Sequence, residues 1–173
     1  VAALIAAVEA ATEGLITPIL VGPIEKIRAV AAIASLDISG FRIEPAPHSH
    51  AAARQAVALV RSGAAQLLMK GSLHTDELMH EVMAQDTGLR TARRISHVYI
   101  MDVPRYPRPL LITDAAINIA PSLEDKRDIV QNAIDLAHIL GLALPKVAIL
   151  SAVETVTSKL QSTLDAAALC KMA

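Results

Sequence analysis

The chain has 173 residues, about one domain's worth, yet 53% are apolar and the mean hydropathy is +0.45, an excess that implies surfaces built to be covered. Sixteen basic against seventeen acidic side chains leave a formal charge of −1, which excludes the broad positive field of a generic nucleic-acid or anionic-membrane binder. Three aromatic residues, Phe41, Tyr99 and Tyr106, leave few platforms for stacking bases or sugars.

The N-terminal run VAALIAAVEAATEG carries Glu9 and Glu13 and is shorter than the ~20 residues of a bilayer span, so it reads as an amphipathic helix. Pro18 to Gly22 is a short apolar run of the kind buried on both faces, and Pro23 starts a helix with Ile24, Ile27 and Ala31 on one side. Phe41 to Glu44 reads as the next strand. Pro45 and Pro47 break it, Ser49 caps a helix facing inward through Val57 and Val60, and Gly63 closes that helix. Gln66 to Met69 is expected as a third strand. This alternation predicts an α/β fold with a parallel sheet, in which ligands sit beyond the carboxyl ends of the strands.

A polar, basic stretch, LRTARR, places a domain boundary near Arg93 and divides the chain into residues 1–92 and 93–173. Strands are expected at Ser96 to Val103 and Leu110 to Thr113, with the proline-rich PRYPRP between them predicting an antiparallel pair. A long helix begins at Ser122, capped by Ser122 and Asp125, striped by Ile129, Ala133, Ala137 and Leu140, and ended by Gly141. Lys146 to Val153 reads as a buried strand, and Ser158 with Gln161 as the cap of a final helix. Val1 lies already inside a helical pattern and TLDAAALCKMA has no stop signal, so both ends read as cut from a longer protein.

The most informative local feature is MKGSLHTDEL, Met69 to Leu78, where Lys70 supplies charge, Gly71 and Ser72 offer backbone amides, and a helix N-terminus follows. His74 within it is a donor to substrate or a partner for a backbone carbonyl. The same residues also fit an ordinary turn with Thr75 as N-cap and Asp76 and Glu77 as dipole-compensating acids. Lys precedes Gly here and the four intervening residues of a Walker loop are missing, which disfavours a nucleotide triphosphatase. Arg93 and Arg94 fit either a phosphate clamp or a solvated linker. Asp114 and Asn118 follow an apolar strand, as Ser151 and Glu154 follow KVAIL, at positions where functional groups or turn-forming polar residues both occur. His48 and His50 lack an acidic third ligand and read as loop and cap residues, not a metal site; His80, His97 and His138 read as structural. The lone Cys170 excludes an internal disulfide and fits a reducing, cytoplasmic setting; it reads as a small buried hydrophobe and a poor nucleophile.

Four blocks, KGSLHTDEL (70–78), RRISHVYIMDVP (93–104), LITDAAINIAPSLEDKRDIVQNAIDLAHILG (111–141) and VAILSAVETV (147–156), occur in order and cover nearly the whole chain. In them the chain resembles the phosphate acetyl/butyryl transferase family, closest to its butyryltransferase-like branch. The resemblance implies acyl transfer between coenzyme A and inorganic phosphate in a three-layer fold like that of isocitrate and isopropylmalate dehydrogenases, two α/β domains with a cleft. It implies a homodimer with no metal and no permanently bound cofactor, and the charge balance above implies no nucleic-acid or membrane partner.

By the same resemblance Lys70, Gly71, Ser72, His74 and Thr75 line the cleft from the first domain, and Asp114, Asn118, Ser151 and Glu154 from the second, with Arg93 and Arg94 near the crossing. Asp114 and Ser151 are the candidate catalytic side chains, and the expected route is direct attack of phosphate in a ternary complex. Family members are close to twice this length, so a protein ending at Ala173 is expected to be inactive. The rival readings are a noncatalytic acyl-CoA-binding or scaffolding fragment and a metal-dependent dehydrogenase of the same fold; Asp102, Asp114 and Asp125 form no motif for the latter.

Overall fold

The apolar run after Pro18 becomes a strand, β1 (Ile19–Gly22), which pairs in parallel with β2 (Arg42–Pro45), Ile19 opposite Arg42 and Gly22 opposite Pro45. In this computed structural model, which describes residues 1–172, the chain divides into two compact units, the first ending at Arg90 and the second beginning at Thr91. Helix α1 (Ala2–Thr12) precedes β1, and α2 (Ile24–Ile33) crosses from β1 to β2 and packs on both, as a parallel pair requires.

Two further helices complete the first unit, α3 (Ser49–Arg61) and α4 (Thr75–Val82). Ala53 and Val57, one turn apart on α3, are almost fully buried where that helix meets β1 and α4; with Ala7, Ala31 and Ala46 they form the apolar core of this unit. Four of these five residues are alanines, so little apolar area is available and elements approach closely. The backbone is most crowded in the turn after α4, at Gly88, whose N–H donates to Ala84 O and where an added Cβ would lie 2.4 Å from the carbonyl oxygens of Ala84 and Val82. Only glycine fits there.

The second unit opens with a hairpin, β3 (Val98–Met101) and β4 (Leu110–Thr113), antiparallel with Val98 opposite Thr113 and Met101 opposite Leu110. The proline-rich connection joins them as expected. Helix α5 (Leu123–Ile139) packs on β4 and on α6 (Gln161–Met172), burying Ile129, Ala137 and Leu169. Ser122 caps α5 through the Asp125 N–H at 3.2 Å while Asp125 Oδ2 accepts from the Ser122 N–H at 3.0 Å, and Gly141 ends the element at a φ of +83°. Buried Asp165 on α6 pairs with Lys126 on α5 and accepts from Gln161 Nε2 at 2.8 Å.

The architecture is α/β, but several local expectations are corrected. Gln66–Met69 and Lys146–Val153 form no strand: Leu67 and Leu150 are exposed, and no neighbouring backbone among the described residues pairs with either segment. Apolar composition marks a segment for burial without supplying the ladder partner a strand needs. The N-cap of α3 is His48, whose Nδ1 accepts from the Ala51 N–H at 3.3 Å, with Ser49 already helical; that of α4 is His74, not Thr75. Leu140 and Cys170 are exposed, Leu140 because it lies beyond the last residue of α5 and Cys170 in the last turn of α6, and α6 begins at Gln161, three residues beyond Ser158.

Replacing Val57 by Ala removes two buried methyl groups at about 0.8 kcal/mol each plus a cavity term, and is expected to lower unfolding stability by roughly 2 kcal/mol. Ile139→Ala, on an exposed side chain, is expected to stay within about 0.5 kcal/mol. Urea unfolding of both variants checks the pair, and equal losses would contradict this placement of the core.

Candidate functional site

Helices α3 and α4 run in the same direction with their starts side by side. At the first turn Ser49 Oγ donates to Glu77 Oε1 at 2.6 Å; in the middle Arg54 meets buried Glu81 at 3.5 Å; beyond the last turn Arg61 Nη1 donates to the Gly88 carbonyl at 3.0 Å. Both helix starts therefore present unpaired N–H groups and partial positive charge to one place. Glu77 answers that charge. Its Oε2 accepts the His74 N–H at 2.9 Å and its Oε1 also lies 3.3 Å from His50 Nε2. The Ser49 hydroxyl and then the His74 amide hold the carboxyl below its ordinary value against the opposing effect of burial, with the nearby imidazoles adding to them.

The turn read from sequence as an anion site leads into this cluster. Lys70, Gly71, Ser72, His74 and Thr75 are all exposed. Lys70 Nζ has no carboxylate within ion-pair distance among the described residues; its nearest recorded partner is the Gly71 carbonyl at 3.5 Å. The amides of Gly71, Ser72 and Leu73 make no hydrogen bond recorded among the described residues. The turn thus offers one cation and a row of donors, while the α4 start itself is occupied by Glu77.

The second-unit residues form a different kind of cluster. Arg93 Nη1 donates to Asp135 Oδ2 at 2.6 Å and to Asn132 Oδ1 at 3.2 Å; Arg94 Nε donates to Asn118 Oδ1 at 2.8 Å. The Arg94 backbone is gripped as well, its N–H donating to Asp128 Oδ2 at 2.9 Å and its carbonyl accepting from Asn132 Nδ2 at 2.8 Å. Both arginine heads are therefore engaged by groups of their own unit. The Arg94 amide holds the Asp128 carboxyl below its ordinary value, and the Arg93 guanidinium does the same for Asp135. Arg93, Asn132 and Asp135, with Thr91 and Ala92, line a shallow open depression of about 390 Å³.

Asp114 sits at the end of β4 among backbone donors. Oδ1 accepts from the amides of His97, Ala116 and Ile117 at 3.2–3.3 Å, and Oδ2 accepts from the Asn118 amide at 3.0 Å and from the Asn118 carboxamide. Burial is the largest single influence and opposes the charge, but the Asn118 side chain and the three turn amides outweigh it, so the carboxyl lies below its ordinary value. Asn118 is saturated in turn, its Nδ2 also donating to the Ile95 carbonyl at 2.9 Å. Ser151 Oγ shares one hydrogen bond with Ser162 Oγ at 2.7 Å, leaving the pair one hydroxyl hydrogen to give, and Glu154 is exposed.

The structure thus gathers Lys70 to Thr75 in one unit and Arg93, Arg94, Asp114 and Asn118 in the other. Ser49, His50 and Glu77 in the first, and Asp128, Asn132 and Asp135 in the second, were missed from sequence as members of these clusters. Signals for both sets existed: an acid at the third helical position after His74, and a polar face at 125, 128, 132 and 135 opposite the apolar stripe. Among the described residues no group of three or more His, Cys, Asp or Glu side chains is placed to hold a metal, and no helix is long and apolar enough to cross a membrane.

Such an α/β chain, with an open cationic turn in one unit and a carboxylate-organised turn in the other, has clear relatives. Residues 46–173 match the family described as phosphate acetyl/butaryl transferase, and the chain belongs to that family. It is 69% identical over 167 residues to a phosphate acetyltransferase of Rhizobium meliloti, covering 96% of this chain and 53% of that protein. A phosphate butyryltransferase of Clostridium acetobutylicum is 40% identical over 95% of this chain and 54% of its own length. Among solved structures, a branched-chain phosphotransacylase from Enterococcus faecalis V583 superposes with a TM-score of 0.72 at 29% identity, covering 89% of this chain and 63% of that one. The chain spans about half the length of the curated relatives it matches.

The Asp114 contribution to stability is complete well above the ordinary carboxyl value of 3.8 and is lost as pH falls through the lower folded-state value. Asp114→Asn is expected to cost roughly 2 kcal/mol at neutral pH, the scale of a charged hydrogen-bond acceptor, and to weaken the acid dependence. Urea unfolding at neutral and acid pH tests this; an unchanged midpoint at neutral pH would contradict the assigned role of the carboxylate.

Proposed function

We propose that this chain forms part of a phosphate acyltransferase that moves an acetyl or butyryl group between coenzyme A and inorganic phosphate. The observation that carries the reading is the 69% identity, over 96% of the chain, to a phosphate acetyltransferase. The likeness to a branched-chain phosphotransacylase supports extending it to the architecture: a three-layer fold of the isocitrate and isopropylmalate dehydrogenase kind, domains 1–92 and 93–173 flanking a cleft. We infer a cytoplasmic homodimer that takes coenzyme A and phosphate as substrates.

In this reading Lys70 and the amides of Gly71 and Ser72 receive phosphate, with His74 and Thr75 beside them. With Ser162 donating to Ser151 Oγ, Ser151 gives its own hydroxyl hydrogen to the thioester carbonyl oxygen, on which negative charge develops during attack. Asp114, read from sequence as catalytic, is assigned a positioning role instead, because a carboxylate accepting from five donors has little basicity left for proton transfer. Asn118 is a positioning residue for the same reason, and Arg93 and Arg94, each held through one guanidinium nitrogen to α5 or to Asn118, keep further N–H groups to offer the phosphate and acyl-CoA side of the site. Glu154, exposed three residues beyond Ser151, is assigned to the acyl-CoA side of the site.

Phosphate-dependent release of coenzyme A from acetyl-CoA and butyryl-CoA by the full-length protein tests the activity; no release at saturating phosphate removes it. Lys70→Ala is expected to raise the KM for phosphate by about 10-fold to 100-fold, the equivalent of one lost charged contact of 1.5–3 kcal/mol. A KM for phosphate unchanged in that variant would move the anion site elsewhere.

A further inference from the structure

We propose that Ser162, the second residue of α6, is a positioning residue for the acyl transfer: it turns the Ser151 hydroxyl toward the thioester carbonyl oxygen and strengthens it as a donor. The inference deepens the acyltransferase reading above and rests on it. The two hydroxyl oxygens lie 2.7 Å apart, across 11 residues of sequence, and neither makes another hydrogen bond recorded among the described residues. Such a pair can be wired in either direction. A thioester carbonyl oxygen accepts and cannot donate, so it takes the Ser151 hydrogen, and the Ser162 hydrogen must then point at Ser151 Oγ. That donation polarises the Ser151 O–H, because hydrogen bonds in series strengthen one another.

A positioning group must itself be held, and the start of α6 is held on two sides. Thr163, next in sequence and buried, accepts the Thr157 N–H on Oγ1 at 3.0 Å and aims its hydroxyl hydrogen at the Thr157 and Leu160 carbonyls at 2.9 and 2.8 Å. Two residues on, buried Asp165 pairs with Lys126 of α5 and accepts from Gln161 Nε2 at 2.8 Å. A buried polar side chain costs free energy unless it is bonded, and these bonds are spent on the Thr157 end of the loop and on α5.

Ser162 and Thr163 therefore grip the two ends of one loop, at Ser151 and at Thr157, while residues 152–156 between the grips, Glu154 included, are exposed. With Ser162 removed, the Ser151 side chain is free to divide its time among three staggered positions, so orientation alone is worth about threefold in the population that faces substrate. The lost polarisation adds to that.

The test uses the full-length protein and its Ser162→Ala, Ser162→Thr, Ser151→Ala and Ser151→Ala/Ser162→Ala variants, with acetyl-CoA and inorganic phosphate as substrates. Ser162→Ala is expected to lower kcat by about threefold to tenfold, the rate equivalent of one neutral hydrogen bond, with the KM for phosphate within about twofold of the parent. Ser162→Thr, which keeps the hydroxyl, should hold kcat within about twofold. In the Ser151→Ala background the loss of Ser162 should change kcat by less than about 1.5-fold, since no hydroxyl remains to be positioned. Equal fold-losses in the two backgrounds, a Ser162→Ala kcat within about twofold of the parent, or a Ser162→Thr enzyme no faster than Ser162→Ala each overturn the inference and leave the acyltransferase reading standing. Parent-like kcat in Ser151→Ala overturns it together with the role of Ser151, and a parent protein without phosphate-dependent turnover overturns the acyltransferase reading as well.

Discussion

Two helices that begin side by side bring together the positive ends of two macrodipoles, and a chain with so little apolar core in its first unit has no surplus to offset that repulsion. The pairing of α3 with α4 therefore depends on the Glu77 carboxylate, which lies between the starts and accepts from both sides, Ser49 on one helix and His74 on the other. Farther along, Arg54 with Glu81 and Arg61 with the Gly88 carbonyl keep the two helices in register. A larger residue at Gly88 would push the carbonyls of Val82 and Ala84 away and shift that register.

The second unit solves a similar problem with a different carboxylate. Its buried apolar residues, Ile129, Ala137 and Leu169, secure α5 and α6 but give the turn after β4 and the segment before β3 no reason to meet. Asp114 supplies one by gathering the His97 amide from one side and three turn amides from the other. Asn118 extends the connection to Ile95 and Arg94, and Arg93 and Arg94 extend it to Asp128, Asn132 and Asp135 on α5. Asp114 and Asn118 meet their partners with little left over, and the two arginines tie this turn to α5, so the network holds the segment before β3 against the turn after β4.

How far the sequence could be read depended on whether a feature was local. The Ser122 and Asp125 cap, the Gly141 stop, the β1 and β4 strands and the antiparallel hairpin are set by residues within a few positions of one another, and these were legible. The segments at 66–69 and 146–153 have strand-like composition, but pairing is a property of two segments, and no partner was encoded beside them. The candidate site divides the same way. Lys70 to Thr75 announced itself as a contiguous turn, whereas Ser49 and Glu77 lie 28 residues apart and Arg93 and Asp135 lie 42 apart, so nothing local marked them as partners. His50 was read as a loop residue because its only informative neighbour, Glu77, belongs to another helix.

The distribution of paired and unpaired charge decides where an anion would be received. A guanidinium already facing a carboxylate at 2.6 Å, as Arg93 faces Asp135, has its positive charge largely answered, so it attracts a phosphate less strongly than an unpaired cation does. Lys70 gives up no carboxylate, and the amides after it give up no recorded hydrogen bond, so a phosphate there competes only with water. The neighbouring Glu77 opposes an anion at the α4 start itself, which favours the proposed position in the turn ahead of that helix.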